Sequence, residues 1–262
     1  MKNLFETFCV AFSMFSRVPA KQVAWTEDNR RYALLAFPSV GVVLGLCWMA
    51  LTALCARFEV PALLTGALLT ALPLLVVGGI HLDGYADTWD ALASHGDTEE
   101  KRRILKDPHT GAFAIIHLVV YFLLWFAAAS VLAEKAIAYQ LIVALGFVLS
   151  RALSALAVTA FPMASDTGLA HSFAASADKR KVRAGLLVLL VVLALAFLAA
   201  DVVLHTFPAG LLVFGVSLVV FVWYRYLAAK HFGGISGDLA GWFLCRCEVW
   251  MLVAAAFAPG VL

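Results

Sequence analysis

Residues 112–133 read AFAIIHLVVYFLLWFAAASVLA, 22 positions without an Asp, Glu, Lys or Arg. As a helix such a run rises about 33 Å, enough to cross a hydrocarbon core of about 30 Å. Six further apolar stretches lie near 33–56, 60–80, 137–161, 185–206, 209–229 and 241–261. About seven spans are therefore expected. The whole chain is 63% hydrophobic and only 14% charged, which excludes a soluble domain of 262 residues. A β-barrel would show short alternating segments instead of continuous apolar blocks. The sequence thus predicts an all-α fold, a polytopic transmembrane helical bundle. No linker or repeat divides residues 1–262, so one domain is expected.

Lys and Arg set the expected orientation. Arg17, Lys21, Arg30 and Arg31 precede the first span; Lys101, Arg102, Arg103 and Lys106 follow the second; Lys179, Arg180, Lys181 and Arg183 follow the fourth; Arg225 and Lys230 follow the sixth. These segments should face the cytoplasm, giving N-in and C-out in a cell inner membrane. Residues 1–15 lack the apolar core and cleavage site of a signal peptide. They place Phe5, Phe8, Phe12 and Phe15 at helical spacing, as an interfacial helix would. A net charge of +2 without a basic stripe gives no reason to expect nucleic acid as a partner. Cys9, Cys47, Cys55, Cys245 and Cys247 fit neither zinc nor redox spacings and are expected to pack. Membrane lipids are the expected surroundings, and homo-oligomer formation is left open.

The chemistry concentrates in Gly78-Gly79-Ile80-His81-Leu82-Asp83-Gly84-Tyr85-Ala86-Asp87-Thr88-Trp89-Asp90. On a helix, positions i, i+4 and i+7 differ by about 40° and −20° around the axis, so the three aspartates share a face. Like charges beside a bilayer need neutralising, and carboxylate-only clusters suit hard cations such as Mg²⁺ shared with phosphates. A solvated, capped helix end is the plainer alternative. His81 adjoins the acids and is a candidate general base toward a hydroxyl.

Further candidates flank the later spans. Lys106-Asp107-Pro108-His109-Thr110-Gly111 precedes the third span, where Asp107 is an N-cap or an active acid and Lys106 an anchor or a phosphate ligand. His231-Phe232-Gly233-Gly234-Ile235-Ser236-Gly237-Asp238 offers backbone donors at Gly233, Gly234 and Gly237, ending on Asp238. Glu248 lies inside the last span, and an ionisable residue at that depth is a functional candidate. Arg151 and Arg246 are embedded as well, as counter-charges or substrate ligands. Asp166 sits in a polar turn, and His117 and His205 are expected to be structural.

Taken together these residues resemble the cobalamin synthase family, the adenosylcobinamide-GDP ribazoletransferases. The resemblance rests on Gly78 to Gly84 with Asp87 and Asp90, on Lys106-Asp107 to Gly111, and on Gly233 to Asp238. Weaker matches are Ser16-Arg17-Val18-Pro19, Phe37-Pro38 to Gly41 with Gly45, and Ser150-Arg151. It covers nearly the whole chain in order.

The resemblance implies a Mg²⁺-dependent transferase. A ribose hydroxyl of α-ribazole, or of its 5′-phosphate, attacks the corrinoid-side phosphorus of adenosylcobinamide-GDP and releases GMP. Asp83, Asp87, Asp90 and Glu248 are then expected on the metal. His81, Asp107 and Asp238 are expected to be catalytic, and Arg17, Lys106, Arg151 and the three loop glycines to bind substrate. Two positions depart from the pattern: Cys245 where an acid is common and Ala170 where glycine is expected.

Two rivals are weaker. A CDP-alcohol phosphotransferase would share Gly79, Asp83 and Asp87 as a GxxxDxxxD run, but no aspartate lies between Asp28 and Asp83 to supply its upstream half. An ion-coupled transporter would place its acids near the bilayer midplane. Here almost all gather at one face, with Glu248 the main exception.

Overall fold

Wherever the sequence stays apolar for twenty residues, the computed structural model, which describes residues 2–259, forms a long helix. In chain order the helices are α1 (Lys2–Phe15), the short turns α2 (Glu27–Arg30) and α3 (Ala33–Ala36), α4 (Pro38–Arg57), α5 (Ala62–Val76), α6 (Ile80–Ala93), α7 (Thr98–Ile104), α8 (Ala112–Ala133), α9 (Ile137–Ala160), α10 (Leu169–Ser176), α11 (Lys179–Val203), α12 (Ala209–Phe232) and α13 (Gly237–Phe257). Six of them, α4, α8, α9, α11, α12 and α13, are long and apolar enough to cross a membrane. The chain is a multi-pass helical bundle.

The expected span near 60–80 takes a different form. Its helix α5 has 15 residues, about 22 Å, and the chain then turns by 97° into α6. Gly78 makes the turn with φ of +84°, a conformation that a side chain disfavours. A straight continuation would carry His81, Asp83, Asp87 and Asp90 onward through the bilayer. The bend instead redirects α6, which packs along α8 and against α13.

At the centre stand α9 and α13, each 78% buried over its apolar window against 28% for α8 and α11. Peripheral helices turn apolar side chains outward, as lipid allows: Leu123, Val188, Val219 and Val222 are all exposed. Some buried polar groups pair between the spans. Trp48 Nε1 of α4 donates to Gln140 Oε1 of α9 at 2.9 Å, as an apolar surrounding demands. Residues 4, 5 and 8 of α1 are exposed and apolar while Cys9, Val10 and Ala11 are buried, the profile of a helix lying along an interface.

The two ends of the bundle differ. Connections 58–61, 134–136 and 204–208 are short, and Lys135 Nζ reaches the carbonyl of Ala255 at the end of α13 at 3.2 Å. Connections 94–111, 161–178 and 233–236 gather at the other end, where Ala164 N donates to Ile235 O at 2.8 Å. The basic run of residues 179–183, expected in a loop, lies on the first turns of α11. Asp178 starts that helix early by accepting from Lys181 N at 3.2 Å.

Candidate active site

The site is built where α6 crosses α13. At Gly84 a Cβ would stand 2.7 Å from Asp238 Cα, and at Gly241 one would stand 3.1 Å from His81 Cα. Each helix therefore gives up a side chain exactly where the other's backbone passes, which sets His81 and Asp83 alongside Asp238. The start of α13 is fixed separately: Ser236 Oγ accepts from Leu239 N at 3.2 Å, and Ile235 N donates to Pro162 O at 2.9 Å. Beneath this crossing lies a cavity of about 450 Å³. Its polar wall carries His81, Asp83, Lys106, Ser236, Gly237 and Asp238.

The acids of this region divide by what holds them. Among the described residues no Lys, Arg or His forms a salt bridge with Asp83, Asp87 or Asp238. Burial, and then the charges of Asp83, Asp238 and Asp90, push the Asp87 carboxyl up to about 6. Asp90 faces elsewhere. It accepts from Gly111 N at 2.5 Å and from Ala114 N at 2.8 Å, closing the N-terminus of α8 from 21 residues away. Both Asp90 oxygens are thus occupied by the end of α8, and Asp90 does not line the cavity that Asp83 and Asp238 share. Among the described residues no three His, Cys, Asp or Glu side chains come together as a group able to hold a metal ion.

Glu248 and Arg151 are also placed apart from the expected site. They form a buried pair, Arg151 Nη1 to Glu248 Oε1 at 2.5 Å, with Ser150 Oγ donating to the same oxygen at 2.9 Å. Arg151 is 1% exposed, and its Nη1 also donates to Phe147 O at 2.9 Å, so the guanidinium is enclosed by the bundle and does not line the cavity. His81 lies between this pair and the acids. Its Nε2 is buried without a hydrogen-bond partner. Burial, and then the Arg151 charge, hold its imidazole down at about 3, so it faces the cavity neutral and weakly basic.

Lys106 is exposed and lines the cavity. Asp107, next to it, turns away: it accepts from His109 N at 2.9 Å and contacts His109 Nδ1 at 2.7 Å, and the His109 amide is the main reason its carboxyl lies below the usual range. Arg17 is anchored by its backbone N to Val76 O at 2.9 Å and lays its side-chain carbons along Gly78, at the bend leading into the site.

Of the loop glycines only Gly237 lines the cavity. Gly233 ends α12 with φ of +68°, and Arg102 Nε donates to the neighbouring Phe232 O at 2.8 Å. Gly234 is pressed against the backbone of residues 162–164. Arg246 is enclosed by the faces of Trp89, Trp223, Trp242 and Trp250 at 4.9–5.9 Å, without a carboxylate. Asp166 lies in an exposed bend outside the cavity wall.

Residues 7–256 match the family model described as cobalamin-5-phosphate synthase. The chain belongs to this family. Among its curated relatives is an adenosylcobinamide-GDP ribazoletransferase of Lachnoclostridium phytofermentans, 42% identical over 97% of this chain and 94% of the relative. Proteins of the same description from Pseudomonas entomophila and from Clostridium botulinum strain Alaska E43 are 36% and 31% identical, over at least 95% of each chain. No solved structure matches. Membership in the cobalamin-5-phosphate synthase family covers every helix that builds the α6–α13 crossing.

Part of the site carried no signal in the sequence. The cavity's other wall is apolar and comes from Phe15 of α1, Phe37 before α4, Val158 of α9 and Phe173 of α10. Ordinary core residues read the same way. Ser154, buried on α9 and lining the cavity, is likewise hidden among small residues.

Proposed function

We propose that this protein is a cobalamin synthase, an adenosylcobinamide-GDP ribazoletransferase that joins the cobinamide phosphate of adenosylcobinamide-GDP to α-ribazole or its 5′-phosphate and releases GMP. The observation that carries this is the cavity under the α6–α13 crossing. There Asp83 and Asp238, neither in a salt bridge, meet Lys106 in a chain that matches the family from end to end. In the reaction a ribose hydroxyl oxygen forms a bond to the corrinoid-side phosphorus, the bond from that phosphorus to the bridging oxygen breaks, and the bridging oxygen leaves on GMP. The hydroxyl proton passes to solvent or to the departing phosphate.

Each residue's part follows from its place. Lys106 at the rim, and Arg17 beside the bend, meet the diphosphate. The backbone N–H groups at the start of α13 supply further donors for its oxygens. His81, lining the cavity next to Asp83, is placed to orient the attacking hydroxyl.

The donor set suits Mg²⁺ in kind: Asp83 and Asp238, with Asp87 behind them, are hard carboxylate ligands whose mutual repulsion a cation would relieve. When bound, Mg²⁺ neutralises the diphosphate and stabilises the leaving GMP. Asp83 and Asp238 would hold the ion at the cavity wall. By the placement of Lys and Arg, the site faces the cytoplasm from the inner membrane.

The test is purified protein in liposomes supplied with adenosylcobinamide-GDP. GMP release that requires both α-ribazole, or its phosphate, and Mg²⁺ is expected. Absence of both GMP and a cobamide product under these conditions overturns the reading.

A further inference from the structure

The cavity has two chemically distinct walls. Facing the polar wall are Met14, Phe15, Leu34, Phe37, Val158 and Phe173, contributed by α1, α3, α9, α10 and the residue preceding α4. Their rings form a connected patch: Phe15 lies 4.3 Å from Phe37 and 5.6 Å from Phe173 between centroids. Phe37 lies 6.2 Å from the His81 ring, so the aromatic patch runs directly into the polar wall. Phe37 and Phe173 are 3% and 2% exposed, fixed by the core behind them. Ser154 is the hydroxyl set on the α9 side of the cavity.

We propose that this aromatic wall is the subsite for the planar base of the ribazole substrate. The ribose then points toward Asp83, His81 and Asp238, and the corrinoid ring stays outside the cavity at its mouth. The inference rests on the transferase reading above and adds to it which substrate enters and what selects it.

Size separates the two substrates. A cavity of about 450 Å³ is in the range that encloses a drug-sized ligand, and a bicyclic base on a ribose is of that size. A corrinoid macrocycle carrying a nucleotide is several times larger and is not admitted. Chemistry agrees: aromatic faces favour a planar ring by stacking. The wall also brings the ribose hydroxyl to the edge where the acids stand.

The experiment measures the riboside and the nucleotide substrate separately, in purified Phe37→Ala and Phe173→Leu proteins. KM for α-ribazole is expected to rise about tenfold in Phe37→Ala, with KM for adenosylcobinamide-GDP changed less than about twofold. Equilibrium dialysis of α-ribazole against each protein without the second substrate should show the same loss. If Phe37→Ala is not recovered folded, Phe173→Leu carries the test, with a smaller rise expected.

An unchanged KM for α-ribazole in active variants, or a rise confined to adenosylcobinamide-GDP, overturns the subsite and leaves the transferase reading standing. An inactive wild-type protein overturns both.

Discussion

Asp201 and Asp83 are carboxylates at opposite ends of one apolar bundle, and they differ in what surrounds them. At the end with short connections, Asp201 is 1% exposed and accepts from Gly210 N at 2.7 Å, Leu211 N at 2.9 Å and Thr206 Oγ1 at 3.0 Å. Its charge is absorbed by the N-terminus of α12. At the other end Asp83 and Asp238 line a cavity beside Asp87, and among the described residues none of the three forms a salt bridge. Burial and the supply of donors both separate them: Asp201 is buried and saturated by two backbone N–H groups and a hydroxyl, whereas Asp83 is exposed and Asp87 and Asp238 are half-buried at the cavity.

The largest expected effect breaks this contrast at its active end. Asp83→Asn and Asp238→Asn should each lower kcat/KM for GMP release at least about 100-fold, the scale of losing a group that stabilises developing charge. The melting temperature of each variant should stay level or rise, because a like charge has been removed. Turnover close to wild type in either variant would place that acid outside the reaction.

The buried pair comes next. Removing one partner, as in Glu248→Gln or Arg151→Met, leaves a charge stranded in the bundle and should destabilise by about 3–5 kcal/mol. Replacing both with apolar residues should cost less than either single change, as read in thermal unfolding in detergent. If Glu248→Gln were instead stable but altered the Mg²⁺ dependence of turnover, Glu248 would belong with the metal ligands after all. Third is Asp201→Ala, which strands the N–H groups of Gly210 and Leu211. About 1–3 kcal/mol of stability should be lost, with activity per folded molecule kept.

The sequence made the spans legible because an uncharged run of twenty residues has one physical solution in lipid. It also placed the end of the second span near Gly78-Gly79, though not the bend that the chain makes there. What it did not carry was how side chains far apart in the chain satisfy one another. Glu248 and Arg151 stood out as embedded charges, but their pairing depends on α9 and α13 lying together at the centre. Asp90 matched the helical spacing of a cluster, yet the free end of α8 draws its oxygens away. Phe15, Phe37 and Phe173 are indistinguishable in sequence from core residues, and only the packing of α1, α4 and α10 gathers them on one cavity. Local periodicity is written in the chain, whereas the competition for each carboxylate is decided by tertiary packing.

Asp90 is the sharpest test of that last point, and its expected effect is the smallest. It sits on the same helix face as Asp83 and Asp87 but does the work of Asp201, holding the N–H groups of Gly111 and Ala114. Asp90→Asn keeps one acceptor oxygen, so it should lose less than about 1 kcal/mol and stay active. Asp90→Ala removes the cap and should lose about 1–2 kcal/mol. A metal ligand would behave in the opposite order of severity: the Asn variant, charge gone but shape kept, would already abolish Mg²⁺-dependent GMP release. Measuring both variants for melting temperature and for the Mg²⁺ concentration at half-maximal rate separates the two roles. A shifted Mg²⁺ requirement in Asp90→Asn at unchanged melting temperature would return Asp90 to the active end of the comparison.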